Sequence, residues 1–185
     1  MSPPTDSLPP AWDTFCQNET HSCIQNALAF PGTVQQLPHC TLSFLPALAT
    51  MISEGGSYAD PQAILEDSVT AILQGRETDI QEEKNILFDG TQPATDAQIH
   101  DLDGADGPST VFILVTNAST DETLATISGE GINHREPLKV KGLHIDWISA
   151  FMHWNREIAK AVDMLLIDRE GCIIGLPRTT CIRPV

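Results

Sequence analysis

The residues best suited to chemistry stand near the end of the chain. Arg178-Thr179-Thr180 follows Pro177, directly after an apolar run. A guanidinium grips phosphate through two parallel N–H bonds, and the two hydroxyls would add donors beside it. The same triplet, placed after a strand-ending proline, can equally cap a sheet edge. Gly129-x-Gly131 follows a predicted strand, as the turn of a nucleotide loop would. The third glycine of that fingerprint would fall on His134, and Pro137 comes before any helix begins. Both glycines are therefore expected to supply positive φ in a tight turn. With Arg178 they form the one candidate site for a phosphorylated ligand.

Other chemistries fail on spacing. His144 and His153 lie on one predicted helix and, at 100° per residue, point to opposite sides, so they cannot share an ion. His144 is expected to be a hydrogen-bonded core residue and His153 to be exposed. The run from Asp101 to Gly107 has a superficial likeness to a calcium loop, but Ala105, Asp106 and Phe112 stand where ligands or the invariant glycine belong. There is no Gly-x-Ser-x-Gly elbow. Cys172 sits inside an apolar strand and reads as inert core. None of Lys84, Lys139, Lys141 and Lys160 is marked as a Schiff-base lysine. No catalytic residue, cofactor or metal is expected.

The elements that must position these residues are mixed. A helix is predicted over 12–29, with Trp12, Phe15, Ile24, Ala27 and Leu28 as its buried residues, stopped by Pro31-Gly32. A short strand follows over 33–37, then a helix over 41–52 broken at Gly55-Gly56. Asp60-Pro61 reads as a cap and first turn of a helix running to Leu73. Residues 76–84 are polar and expected to be exposed. A strand over 85–88 closes on Asp89-Gly90, and 91–109 reads as a long loop with one helical turn at most. Val111–Val115 is apolar throughout, the pattern of a strand buried on both faces, and 123–127 is expected to return against it as a hairpin. The clearest helix is 142–160, with Leu143, Trp147, Phe151, Trp154 and Ile158 on one stripe. Two strands, 162–167 and 172–176, flank a turn at 168–171. The expected fold is a single-domain α/β sandwich on a mixed sheet, residues 11–185, behind a Pro-rich leader at 1–10.

The 185 residues are 41% hydrophobic, with 25 acids and 10 bases giving a net charge of −15, a composition that suits a folded domain and excludes a disordered one. Neither a membrane span nor a signal peptide is expected. Five cysteines with no C-x-x-C pair argue for reduced thiols in a cytoplasmic protein, and the Asn-x-Ser/Thr triplets at Asn18 and Asn117 are then coincidental. Arg76 and Lys84 are the only bases before residue 135, so acidic charge dominates that portion and the remainder is slightly basic. This balance repels nucleic acid and anionic membranes. It leaves a protein partner, or a small anion near the C-terminus.

The terminal pair Val162-Asp163-Met-Leu-Leu-Ile-Asp-Arg-Glu-Gly-Cys-Ile-Ile-Gly-Leu-Pro-Arg-Thr-Thr180 resembles the C-terminal signature of the PhnH family, the H subunit of the bacterial carbon–phosphorus lyase core complex. Ala27-Leu-Ala-Phe-Pro-Gly-Thr-Val34, Asn85-Ile-Leu-Phe-Asp-Gly90 and Ile127-Ser-Gly-Glu-Gly-Ile132 are similar to further family segments in the same order. The resemblance is strong over 127–180 and weak over 38–110. Two departures stand out. Ile158-Ala-Lys-Ala161 replaces the family's Phe-Pro-Leu-Gly, and Glu130 replaces a proline in the glycine turn. The resemblance implies a fold like the large domain of PLP-dependent transferases, without PLP. It also implies an accessory role beside the G-, I- and J-type subunits, in joining an alkylphosphonate to the ribose of a nucleoside triphosphate to form ribose 1-phosphonate 5-triphosphate. A homodimer is expected in isolation. Arg178, Thr179, Thr180, Gly129, Gly131 and Asp163 are the candidate ligand or interface residues, and Trp12 is a candidate interface anchor.

Overall fold

The computed structural model describes residues 14–38, 44–52, 56–73, 75–103, 109–156 and 162–185. In chain order the elements are α1 (Thr14–Ala29), β1 (Val34–Gln36), α2 (Leu45–Ile52), β2 (Ser57–Tyr58), α3 (Asp67–Leu73), β3 (Arg76–Glu77), a 3-10 turn (Ile80–Glu82), β4 (Asn85–Asp89), α4 (Asp96–Asp103), β5 (Ser109–Leu114), β6 (Thr123–Ser128), β7 (Glu136–Lys139), α5 (Ile145–Trp154), β8 (Val162–Ile167), β9 (Cys172–Leu176) and β10 (Cys181–Pro184). The mixed α/β class expected from sequence is observed.

The main sheet has the order β1-β9-β8-β5-β4. Strands β8, β5 and β4 run parallel, with Asp89, Leu114 and Ile167 in one register at their C-terminal ends. Strand β9 returns antiparallel on β8, and β1 pairs antiparallel at the edge. Side chains alternate across this sheet. Ile86, Phe88, Val111, Ile113, Met164, Leu166 and Ile174 join one core with Trp147 and Trp154 of α5, while Leu87, Phe112, Leu165, Ile167 and Ile173 join a second core with α1, α2 and α3. Helices thus cover one face, and α5 with a second sheet, β10-β6-β7, covers the other. That double coverage is why β4, β5 and β8 are continuously apolar.

Several expectations are corrected. The run 111–115 does not form a hairpin with 123–127: β5 lies between β4 and β8, and β6 pairs with β7 and β10 in the other sheet. A strand apolar on both faces takes a central place, whereas β6 alternates in burial and suits a sheet open on one side. Strands β7 and β10 were not expected. The loop before β5 contains α4, started by a reciprocal capping box in which Gln98 N–H donates to Thr95 Oγ1 (3.3 Å) and Thr95 N–H to Gln98 Oε1 (2.9 Å). Asp60 caps no helix; its carboxylate accepts Ile64 and Leu65 N–H (3.0 and 2.8 Å) and folds a loop with Ala63 at φ 51°, so α3 begins only at Asp67. The polar stretch 76–84 is not wholly exposed, because Ile80 and Glu83 are buried.

Helix α5 is shorter than 142–160. His144 is its N-cap, with Nδ1 accepting Asp146 N–H at 3.4 Å, so it is half-exposed at the helix start and outside the core. The stripe of Leu143, Trp147, Phe151 and Trp154 is buried as expected. His153 is partly buried, its ring edge-on to His100 at 5.9 Å, and not fully exposed. Cys172 opens β9 only partly buried. The leader, Trp12, Gly104–Gly107 and Ile158–Ala161 lie outside the described residues. Among the described residues no helix is long and apolar enough to cross a membrane.

Candidate functional site

The sequence-nominated residues gather at the N-terminal end of the parallel strands. Asp163 is the second residue of β8, and Arg178 follows β9 where that strand returns to the same end. The two are clamped. Asp163 Oδ1 accepts Arg178 backbone N–H (2.8 Å) and Nε–H (3.1 Å), and Oδ2 accepts Nη2–H (2.5 Å). This bidentate geometry is the one a guanidinium would offer a phosphate, and an internal carboxylate occupies it. The hydrogen bond to Asp163 is the main influence raising the Arg178 pKa above its ordinary value, with burial opposing it.

The glycine turn is packed as tightly. Gly129 has φ 142°, and a Cβ there would lie 2.7 Å from Thr179 O; Gly131 has φ 78°, and a Cβ there would lie 2.8 Å from Ala29 O. Both glycines take positive φ, as expected. Gly175 admits no side chain either, since its Cβ would lie 2.5 Å from the Ala27 backbone. The four sequence segments that carry the family likeness therefore include three that pack on one another: the end of α1, the Gly129 turn and the Pro177–Thr180 turn. Within the latter, Thr180 N–H donates to Pro177 O at 2.8 Å. Thr179 is exposed. Thr180 is buried, and its Oγ1 has no hydrogen-bond partner among the described residues. The structure joins Gly129 to Thr179 and Arg178 to Asp163, but it sets Gly131 against α1.

A broad concavity lies at the other end, where β4, β5 and β8 finish. It is a cleft of about 890 Å³ bordered by Gln62, Asp89, Leu114, Thr116, Asp168 and Arg169, among others. Crevices outside the carboxyl ends of parallel strands are where open α/β sheets bind ligands. Asp168 is buried and structural here: its carboxylate accepts Ala118 (2.8 Å), Glu170 (2.9 Å) and Cys172 (2.9 Å) N–H. Asp89 Oδ1 accepts both Thr91 N–H (2.9 Å) and Thr91 Oγ–H (2.7 Å). Its own N–H donates to Gln62 Oε1 at 2.6 Å. None of these residues was nominated from sequence. The available signal was an acid ending each of two apolar strands, Phe88-Asp89 and Ile167-Asp168, and it becomes meaningful only once the strands are known to be parallel neighbours.

Among the described residues no group of three or more His, Cys, Asp or Glu is placed to hold a metal ion. Burial, then the Asp168 charge, pushes the Cys172 thiol up; burial, then Glu19, does the same at Cys23.

Comparison with known proteins agrees with the likeness read from the motifs. The chain is 26% identical over 172 residues to HtxG of Stutzerimonas stutzeri, named as a C-P lyase subunit protein, covering 91% of this chain and 87% of that one. The family model described as bacterial phosphonate metabolism protein (PhnH) matches residues 11–183. A match of that extent covers the clamp, the glycine turn and the cleft together, and the chain belongs to the PhnH family.

Proposed function

We propose that this chain is an accessory, non-catalytic subunit of a cytoplasmic carbon–phosphorus lyase core complex. In that assembly it supports formation of ribose 1-phosphonate 5-triphosphate from a nucleoside triphosphate and an alkylphosphonate. G-, I- and J-type subunits are its partners there, and it self-associates as a homodimer when alone. Family membership and the HtxG likeness support the complex. The observation that carries the accessory role is the Arg178–Asp163 clamp, which commits the chain's best phosphate-gripping cation to an internal carboxylate. An independent enzyme using Arg178 and the Gly129/Gly131 turn would first have to break that bidentate pair. The parallel β4-β5-β8 core with antiparallel β9 is the part of the fold that we liken to the large domain of PLP-dependent transferases.

Co-expression with the neighbouring subunits, followed by size-exclusion chromatography and mass analysis, tests this reading. The expected result is co-elution in one assembly, with activity lost when this chain is omitted. Elution as a lone monomer, beside an active complex that forms without it, would overturn it.

A further inference from the structure

The cleft at the C-terminal ends of β4, β5 and β8 sets opposite charges over an apolar floor, and we propose that it binds a small zwitterion carrying an ammonium and an acid group. Asp89 is half-buried and held by Thr91 through Oδ1 alone, so Oδ2 has no hydrogen bond among the described residues. This oxygen is an oriented acceptor for an ammonium. Gln62 spends Oε1 on Asp89 N–H, which leaves its amide N–H groups as further donors. On the far side, Arg169 stands exposed in the turn after β8, with no ion pair among the described residues. Its fork suits a carboxylate or a phosphonate. Between them Leu114, Val115, Ile64 and Phe44 supply apolar wall.

Asp89, Leu114 and Ile167 share one register, so Asp89 and the turn carrying Arg169 are separated by the width of β5, about 10 Å of backbone. Both residues border the same cleft, so both charges are offered to one small ligand. A lone anion would face Asp89 within a chain of net charge −15, and a lone cation would face Arg169. A ligand carrying both charges is complementary to Asp89 and Arg169 together, the Asp168 carboxylate on the same border being engaged by backbone N–H groups. The backbone beside Gln62 agrees: Ala63 is the one non-glycine residue with positive φ among those described, and such strain is retained where a loop is held for a purpose.

Isothermal titration of the full chain with 2-aminoethylphosphonate, β-alanine, ethanolamine and ethylphosphonate tests the proposal. We expect saturable binding of at least one of the first two, at least tenfold tighter than either singly charged probe. The phosphonate and carboxylate arms decide which acid the site takes. Asp89→Asn retains an acceptor for Thr91, and with Arg169→Ala it should weaken binding at least tenfold, while Arg183→Ala on β10 leaves it unchanged. Thermal melts establish that the variants are folded. The proposal is overturned if neither zwitterion binds more tightly than about 1 mM. It is equally overturned if ethylphosphonate alone binds as well, or if both variants bind like the parent. The inference does not rest on the assembly role, so a silent titration leaves the co-expression result standing.

Discussion

The two ends of the parallel strands treat charge in opposite ways. At the N-terminal end Asp163 and Arg178 close on each other, with 16% and 36% of their side chains exposed. Glu83, just before β4, is buried there as well and accepts hydrogen bonds from Thr78 Oγ1, Lys84 N–H and Asn85 N–H, among others. At the C-terminal end Asp89 and Arg169 border a cleft and leave hydrogen-bonding capacity unspent. The closed end carries the recognisable motif, and the open end carries the available chemistry. A frame that packs three chain segments so closely that a Cβ at Gly129, Gly131 or Gly175 would clash constrains its residues more than a cleft wall does, so the sequence signature marks the frame.

Asp168 is the largest test of that division, because it borders the cleft yet acts as frame. Asp168→Ala strands three backbone N–H groups, at about 1–3 kcal/mol each, and should cost about 4 kcal/mol in all. The melting temperature should fall by about 10 °C, and Asp168→Asn should recover part of it. A variant with an unchanged melt would return Asp168 to the list of ligand groups and blur the contrast.

Asp163→Ala tests the closed end. It leaves Arg178 part-buried without its partner; full burial would cost about 3–5 kcal/mol, and the exposure of this guanidinium reduces that to about 2 kcal/mol. Adding Arg178→Ala should restore some of the loss. Chemical denaturation of the single and double variants measures both. Zwitterion binding at the open end should stay within twofold of the parent. A tenfold change there would show that the ends are coupled.

How much of this was legible depends on how local the signal was. The run Val111-Phe-Ile-Leu-Val115 announces a doubly buried strand by composition alone, and the Trp147, Phe151, Trp154 stripe announces the core face of α5. Pairing is not local. The hairpin expected between 111–115 and 123–127 fails because β5 finds better partners far away in sequence. Helix α4 was legible in principle from Thr95-x-x-Gln98, but it lies in a polar stretch where composition argues for a loop. Arg178 was singled out as a phosphate grip because nothing in the sequence places Asp163, fifteen residues earlier, beside it. The cleft was invisible for the same reason, since its residues come from segments spanning 44 to 169.

Glu83 gives the closed end a pH signature. Burial raises its pKa, but hydrogen bonds from Ser57, Lys84 N–H, Asn85 N–H and Thr78 outweigh burial and hold the carboxyl below its ordinary range. A depressed carboxylate contributes stability above its unfolded pKa and loses it as pH falls through the folded value. Glu83→Gln should therefore be destabilised by about 1–2 kcal/mol at pH 7. The gap to the parent should narrow below about pH 4 in urea titrations. A gap that persists unchanged at low pH would mean that side-chain shape, and not ionisation, holds this end.

The smallest effect is read at the thiols. Cys172 lies at the open end beside Asp168, and burial, then that negative charge, pushes its pKa up, although Arg169 is close in sequence. Reactivity follows the thiolate. At pH 7 iodoacetamide should label exposed Cys181 first, with Cys172 and Cys23 at least tenfold slower, as read by peptide mass spectrometry over time. Raising the pH to about 9 should narrow that ratio, because deprotonation and not access alone limits both thiols. Labelling of Cys172 as fast as Cys181 at neutral pH would mean that the Arg169 guanidinium, and not the Asp168 carboxylate, dominates the field there. Arg169 would then be turned toward β9 and away from the cleft, and the open end would have lost the cation its proposed ligand requires.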